Sequence, residues 1–254
     1  MMLRRELEYF FGAIRFFTRL PVPAWVGHSA EALNRSARYF PAVGLIVGGI
    51  GALVYLAAGL IWPQPVAVLL SMAATLYATG AFHEDGLADT VDGLGGGWDK
   101  ARILEIMKDS RVGSYGVVAM VLALLGKFTL LSALDGALVP FALLAGHALS
   151  RFCATVLLAT MDYVREDLQS KAKPLATRLS GGGMVVALAF ALLAVAFLPP
   201  AKALAGCALA ALATVWLAAK FRRWMGGYTG DCLGATQQVS EIVFYLGLLA
   251  SWPP

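Results

Sequence analysis

The segment from residue 83 to residue 93 carries several carboxylates directly after a long apolar run. If this segment is helical, Asp85, Asp89 and Asp92 recur at i, i+4 and i+7 and share one face. Their charges repel one another there, and a divalent cation would turn that repulsion into binding. Hard oxygen ligands favour Mg²⁺ or Mn²⁺ over zinc. We therefore predict a site for Mg²⁺ or Mn²⁺ on the face that Asp85, Asp89 and Asp92 share.

The same segment indicates which chemistry the metal ion would serve. Carboxylates that hold Mg²⁺ against a pyrophosphate are the usual arrangement for phosphoryl-type transfer. Gly86 and Gly93 have no side chains, so a phosphate could approach the helix backbone at both positions, and we expect them to bind substrate. The alternative interpretation is a solvated acidic loop between two membrane spans. The helical spacing of the acids directly beside a span favours the metal site.

Basic side chains follow within the same charged loop, which we place at residues 83–112. Arg102, Lys108 and Arg111 would clamp phosphate oxygens, the arginines through a bidentate fork. Gly113, directly after this loop, is expected to lie against the substrate. The alternative is that these charges only anchor the next span on its cytoplasmic side, which requires no substrate. For Arg111, the nearby acid and glycine favour a functional role.

A second candidate loop is rich in glycine and covers residues 226–235, just before the last apolar run. Glycine permits close backbone approach, and consecutive amides can form an anion-binding nest. We expect Tyr228, Thr229 and Gly230 to bind substrate, with the carboxylate of Asp231 beside them. A simple flexible turn is the alternative, but such a turn would not require the carboxylate of Asp231.

The elements that must position these residues are membrane helices. The chain has 254 residues, of which 59% are hydrophobic and only 14% are charged, whereas a soluble domain carries about 25% charged residues. We therefore predict one all-α domain over residues 1–254, a polytopic bundle of about seven transmembrane helices. An amphipathic helix over residues 1–20 would lie in the membrane interface. The predicted spans are 44–62, 66–82, 113–131, 138–160, 184–198, 203–219 and 236–252. For the fifth and sixth, the alternative is one re-entrant pair.

Charge placement predicts the orientation of this bundle in the lipid bilayer. With the N-terminus in the cytoplasm, most of the 20 lysines and arginines fall in cytoplasmic segments, as the positive-inside rule requires. Both candidate loops then face the cytoplasm. A net charge of only +4, without a basic stripe, argues against nucleic-acid binding.

Charged or titratable residues also fall inside the predicted spans, where charge is costly. For Lys127 and His147 we weigh two roles equally, lining a site or forming an internal hydrogen bond. Arg151 is expected to lie near the cytoplasmic end of its span and to extend its guanidinium to the membrane surface.

Four short motifs follow one another at residues 16–23, 84–93, 108–113 and 227–235. They read Phe-Phe-Thr-Arg-Leu-Pro-Val-Pro, Glu-Asp-Gly-x-x-Asp-x-x-Asp-Gly, Lys-Asp-Ser-Arg-x-Gly and Gly-Tyr-Thr-Gly-Asp-x-Leu-Gly-Ala. In this order they resemble the cobalamin synthase family, the adenosylcobinamide-GDP ribazoletransferases. The resemblance implies a multi-pass enzyme of the bacterial inner membrane that uses Mg²⁺. It would join adenosylcobinamide-GDP to α-ribazole or α-ribazole 5′-phosphate, giving adenosylcobalamin or its phosphate and releasing GMP.

The resemblance also implies roles for the candidate residues. A ribose hydroxyl would attack the phosphorus attached to cobinamide, with Asp92 or Asp89 as the general base and Asp92 preferred by position. The three basic residues of the charged loop would stabilise the equatorial oxygens. One or two Mg²⁺ would be held by Glu84, Asp85, Asp89 and Asp92. Asp231 would supply a further metal ligand or orient the hydroxyl.

Two other functions stay open at this point. A CDP-alcohol phosphotransferase also carries an aspartate-rich motif beside a span, but its pattern has alanine where this chain has Asp89. A cation transporter would use acidic residues near the bilayer midplane, often in inverted repeats. Here the acids lie at a cytoplasmic edge and no repeat is visible in the sequence. The sequence is also compatible with a homo-oligomer.

Overall fold

The computed structural model describes residues 2–27, 30–165 and 179–250. Within these residues all the regular elements are helices, and the sole strand-like contact is an isolated bridge between Tyr163 and Tyr228. The prediction of an all-α fold is therefore confirmed. The helices are α1 Met2–Phe17, α2 Ala30–Ser36, α3 Phe40–Gly59, α4 Gln64–Thr79, α5 Phe82–Gly96, α6 Lys100–Ile106, α7 Ser114–Ala133, α8 Val139–Thr160, α9 Gly181–Val195, α10 Pro200–Met225 and α11 Gly230–Leu248.

Four helical stretches are long and apolar enough to cross a membrane, namely α7, α8, α10 and the run Glu31–Gly59, which contains α3. The bent pair of α4 and α5 adds a fifth if it counts as one broken span. Each predicted span overlaps a helix, but fewer than the predicted seven helices are long and apolar enough to cross a membrane. The helices α4 and α9 have only 16 and 15 residues, and buried polar side chains lower the hydropathy of α11.

Helix α1 has the apolar face that its sequence spacing predicts, and this face packs on the bundle. Ala13, Ile14 and Phe17 are buried, and the rings of Phe17 and Phe40 meet edge-on with their centroids 4.5 Å apart. Leu3, near the start of the helix, is exposed. The membrane-interface position of α1 stays a prediction.

The buried apolar side chains form two clusters. The first holds α5 and α6 against α10 through residues that include Leu87, Ile103 and Phe221. The second lies among α4, α8 and α11 and includes Val68, Leu143 and Phe244. The helix that carries the acidic motif is therefore packed into the bundle rather than suspended in solvent.

A sharp bend between α4 and α5 sets the direction of the acidic segment. Gly80 and Ala81 both adopt left-handed backbone conformations, with φ of 67° and 58°, a region that alanine rarely enters. The two helices meet at an angle of 86°. The backbone N–H of Arg19 donates to the carbonyl oxygen of Ala78 at 2.8 Å and ties the N-terminal segment to this bend. Helix α5 thus departs from the direction of α4, lies outside the four long spans and packs on α7 and α11.

The two segments predicted to be loops are largely helical. The stretch 83–112 contains most of α5 and all of α6, and the Asp99 carboxylate caps α6 by accepting from the Arg102 backbone N–H at 2.9 Å. The stretch 226–235 contains the first turns of α11, which the Thr229 hydroxyl caps. The spacing of the acids had already indicated a helix at α5, but glycine disfavours helix in isolated peptides, and this hid the start of α11. Packing against the bundle supplies the stabilisation that propensity lacks.

Candidate active site

Carboxylates from two helices converge beside α5. Asp85 is exposed and Asp89 is half-buried on this helix, and Asp231 projects from the first turn of α11. Burial, followed by the charges of Asp231 and Asp85, raises the pKa of the Asp89 carboxyl to about 7. Burial also raises the pKa of Asp231, although the guanidinium of Arg165 opposes the rise. We call Asp85, Asp89 and Asp231 the acidic face.

The acidic face has the donor chemistry that Mg²⁺ prefers, because it offers only hard carboxylate oxygens. In the part of the chain that the structure describes, no three histidine, cysteine or carboxylate side chains are already arranged to hold a metal ion. Like charges without a cation repel one another, and side-chain rotation would be needed to close the site. The Mg²⁺ site therefore stays a prediction, and the residues of the acidic face are the best candidates for its ligands.

A glycine contact brings Asp231 to α5. A Cβ atom on Gly86 would lie 3.0 Å from the carbonyl oxygen of Asp231, and one on Gly234 would lie 3.2 Å from the Cα of Gly86. The backbones of α5 and α11 are therefore nearly in contact at this crossing. Gly86 is buried in the helix interface. The sequence led us to expect that a phosphate could approach the backbone at this position, but α11 lies there.

Replacing Gly86 with valine is expected to force α5 away from α11. Overpacking of this kind typically costs about 1–3 kcal/mol, and the shift would separate Asp231 from Asp85 and Asp89. The thermal midpoint of the purified protein and its rate of turnover should both fall. Gly59→Val is the matched control, because a Cβ atom at Gly59 meets nothing within 4 Å. Equal behaviour of the two variants would show that the close approach is unimportant.

Asp92 has a partner that its position in the motif did not indicate. Its carboxylate accepts the backbone N–H of Gly113 at 2.7 Å and that of Gly116 at 2.9 Å, so it holds the start of α7. A Cβ atom on either glycine would collide with this carboxylate. The negative charge also lies at the positive end of the α7 dipole. The charge of Asp92 still contributes to the raised pKa of Asp89, but both of its oxygens are engaged at the start of α7, and Gly113 contacts Asp92 where a substrate contact was expected.

Glu84 is part of a buried ionic network and does not belong to the acidic face. Gln238 donates to its Oε1 at 2.8 Å, and Lys127 Nζ lies 3.8 Å from the same oxygen. Lys127 also donates to Glu241 Oε2 at 3.1 Å. All these side chains are buried. Further hydrogen bonds reach Glu241 from Gln237 at 2.7 Å and from Tyr245 at 3.0 Å.

The network continues on α8 and resolves the question about the polar residues in the spans. Arg151 donates to the carbonyl oxygen of His147 at 3.0 Å, and His147 Nδ1 lies 3.8 Å from Glu241. Arg151 is only 2% exposed, so the expectation that it reaches the membrane surface is wrong. Sequence reasoning missed Glu241 as a partner. The signal was present, since a lysine within an apolar run requires an acid from another span.

Gly93 and the two predicted arginine clamps also have local partners. A Cβ atom on Gly93 would lie 2.7 Å from Met107 Cγ, so Gly93 lets the end of α6 pack on α5. Arg102 pairs with Glu105 at 2.8 Å, and both side chains are largely exposed. Arg111 pairs with Asp109 at 2.6 Å and is 87% exposed, and its hydrogen bond lowers the pKa of Asp109 to about 2. Neither arginine is directed to the acidic face by these contacts.

Arg165 is a cation that the structure places against the acidic face. Its Nη2 lies 3.3 Å from Asp231 Oδ2 and donates to the carbonyl oxygen of Met107 at 3.0 Å. In the sequence, Arg165 is one of several basic residues between the fourth and fifth predicted spans, a group that could guide an anionic substrate. The others, Lys171, Lys173 and Arg178, lie outside the described residues. Lys108 lies with Arg165 on the wall of an open cleft.

The glycine-rich segment is partly buried. Tyr228 exchanges backbone hydrogen bonds with the segment before Arg165, donating to Asp162 O at 2.9 Å and accepting from Val164 at 3.0 Å. Thr229 is completely buried and accepts the Cys232 N–H as the cap of α11. Gly230 is exposed, and a Cβ atom there would meet nothing within 4 Å. Of the three predicted substrate contacts, Gly230 is therefore the accessible one.

Comparison with known proteins gives full-length relatives. A relative in Shewanella woodyi is 48% identical over 255 residues, which cover 98% of both chains. Relatives in Shewanella amazonensis and Leptothrix cholodnii are each 49% identical and cover 98% of this chain and 97% of their own length. All three are named adenosylcobinamide-GDP ribazoletransferase. No solved structure shows a significant match.

A family model gives the same answer. The model described as Cobalamin-5-phosphate synthase matches residues 9–249, a range that contains the acidic face and the buried ionic network. With this match and with relatives of nearly identical length, the chain belongs to the cobalamin-5-phosphate synthase family.

Proposed function

We propose that the protein is an adenosylcobinamide-GDP ribazoletransferase that uses Mg²⁺. It would join adenosylcobinamide-GDP to α-ribazole or α-ribazole 5′-phosphate and release GMP. The relatives carry this activity in their name. The observation that supports it most strongly in the structure is the convergence of Asp85 and Asp89 with Asp231 beside one arginine, Arg165.

The acidic face would hold the metal ion. Asp85, Asp89 and Asp231 offer carboxylate oxygens from two helices, and Mg²⁺ bound there would offset negative charge on the pyrophosphate. This set is narrower than the one that the sequence predicts. Glu84 bonds to Gln238 through one oxygen and lies within the buried network with Lys127, and both oxygens of Asp92 accept backbone N–H groups at the start of α7.

Asp89 and Arg165 would carry out the remaining steps of the reaction. A ribose hydroxyl of the ribazole would form a bond to the phosphorus attached to cobinamide, the bond from that phosphorus to the GMP oxygen would break, and GMP would leave. Asp89 is better suited than Asp92 to receive the hydroxyl proton, because both oxygens of Asp92 already accept backbone N–H groups. Arg165 would stabilise the developing negative charge on the phosphate oxygens.

A GMP-release assay tests this function directly. Purified protein in liposomes should release GMP only when both substrates are present, lose this activity with EDTA and regain it with Mg²⁺. Side-by-side reactions with α-ribazole and its 5′-phosphate would identify the preferred acceptor. Absence of GMP release under all these conditions would contradict the proposal. Divalent cation flux without GMP release would instead support a transporter.

The apolar helices make this a membrane protein. We propose that it resides in the bacterial inner membrane with the N-terminus and the acidic face on the cytoplasmic side. The basic residues near the acidic face, such as Lys100, Lys108 and Arg222, support this orientation through the positive-inside rule. A homo-oligomer also stays a prediction.

A further inference from the structure

We propose that a basic cleft beside the acidic face binds the nucleoside monophosphate end of the substrate, the part that leaves as GMP. The basic cleft lies between α6 and residues 164–165 and has about 560 Å³ of space. Its wall includes Lys100, Leu104, Lys108, Val164 and Arg165. The inference rests on the proposed function, since it names where one part of that substrate is held.

The charge of the basic cleft suits a phosphate. Lys100 and Lys108 are exposed at its wall, and Arg165 adds a third cation. One acid, Glu105, also lines the cleft, but its carboxylate is paired with Arg102 at 2.8 Å. A cleft dominated by one sign of charge concentrates ligands of the opposite sign.

Arg165 connects the basic cleft to the acidic face. Its Nη2 lies 3.3 Å from Asp231 Oδ2, while its Nε is buried and has no hydrogen-bond partner among the described residues. A buried N–H without an acceptor is costly. A small rotation of the guanidinium toward the cleft would let a phosphate oxygen satisfy this donor, and the same guanidinium would then contact both the nucleotide and a residue of the acidic face.

The size and the apolar wall of the cleft suit a nucleoside. Pockets for small ligands typically have about 300–1,000 Å³, and the volume of 560 Å³ falls in this range. Leu104 and Val164 are half-buried on the wall and offer apolar surface to the face of a purine. The phosphate would lie at Arg165, with the base farther along α6, so the scissile bond would be next to Asp231.

Kinetics of single variants test the assignment. Lys100→Ala and Lys108→Ala should each raise the KM for adenosylcobinamide-GDP and the inhibition constant of GMP by about tenfold, because a charged hydrogen bond is worth at least about 1.5 kcal/mol. The KM for α-ribazole should not change. Arg223→Ala is the matched control, because Arg223 is an exposed basic residue outside the cleft.

Equilibrium binding supplies a measurement that does not depend on turnover. Radiolabelled GMP should bind the full chain in nanodiscs without metal, and the two lysine variants should bind it about tenfold more weakly. Arg165→Lys should bind better than Arg165→Ala, since it retains the charge. Inorganic phosphate should compete less well than unlabelled GMP. Equal competition by phosphate would contradict recognition of the nucleoside.

The outcomes separate this inference from the proposed function. If the wild-type protein turns over and both lysine variants keep its inhibition constant for GMP, the basic cleft is not the nucleotide site, although the proposed function stands. If the wild-type protein releases no GMP from the two substrates, the proposed function fails. Loss of GMP binding in the lysine variants would even then assign the cleft to a nucleotide.

Discussion

Lys127→Met is expected to destabilise the protein by about 3–5 kcal/mol, the usual cost of removing one partner from a buried ion pair. Lys127 Nζ lies 3.1 Å from Glu241 Oε2 and 3.8 Å from Glu84 Oε1, and all three side chains are less than 10% exposed. The substitution would leave two buried carboxylates without their shared cation. The effect would appear as a lower thermal midpoint and a lower denaturant midpoint in detergent micelles.

Two further variants make this result specific to the network. Lys202→Met alters a half-exposed lysine at the start of α10 and should change stability little. Lys127→Met combined with Glu241→Gln should recover part of the loss, because a neutral amide replaces the charge that lost its partner. If Lys127→Met were no more harmful than Lys202→Met, the network would not stabilise the fold.

Asp89→Asn is expected to lower turnover by about 10²–10⁴-fold, the range associated with loss of a catalytic acid or base. The asparagine has nearly the same shape but provides neither the metal-binding charge nor the proton acceptor. Stability should not fall, since the substitution relieves repulsion with Asp85 and Asp231. The measurement is the rate of GMP release at saturating substrate and Mg²⁺, together with thermal unfolding of the same preparation.

Asp135→Asn provides the control for this experiment. Asp135 is exposed in the turn between α7 and α8, where its carboxylate accepts the Ala137 N–H at 2.9 Å, so its replacement should leave turnover unchanged. Near-normal GMP release by Asp89→Asn would exclude Asp89 both as a metal ligand and as the base. A folded but inactive Asp89→Asn protein would support the acidic face as the reacting centre.

Spacing along the chain predicted the local part of the site well. Periodicity placed Asp85 and Asp89 on one face of a helix, and their position after an apolar run indicated the end of a span. Spacing alone also put Asp92 on that face. The charge of Asp92 does act on Asp89, but the Gly113 and Gly116 amides at the start of α7 bind both oxygens of Asp92, which spacing did not indicate. A partner that is distant in sequence leaves no trace in local periodicity.

For the same reason, the contacts between helices could not be predicted from local sequence patterns. Gly86 is explained by Gly234 and Asp231, which lie on another helix. The cost of charge in a membrane singled out Lys127, but the identity of its partner Glu241 required the packing of α7 on α11. Segments rich in glycine were expected to be loops, because their helicity depends on contacts with the bundle and hardly at all on intrinsic propensity.

The buried ionic network also restricts how this chain can change over generations. Its cations Lys127 and Arg151 formally balance its carboxylates Glu84 and Glu241. A mutation that neutralises one member leaves an uncompensated charge in the interior, whereas a second mutation that removes an opposite charge restores the balance. We therefore expect these charges to be lost in pairs, one cation together with one carboxylate. We also expect a defect caused by mutation at one position to be suppressed by mutation at another.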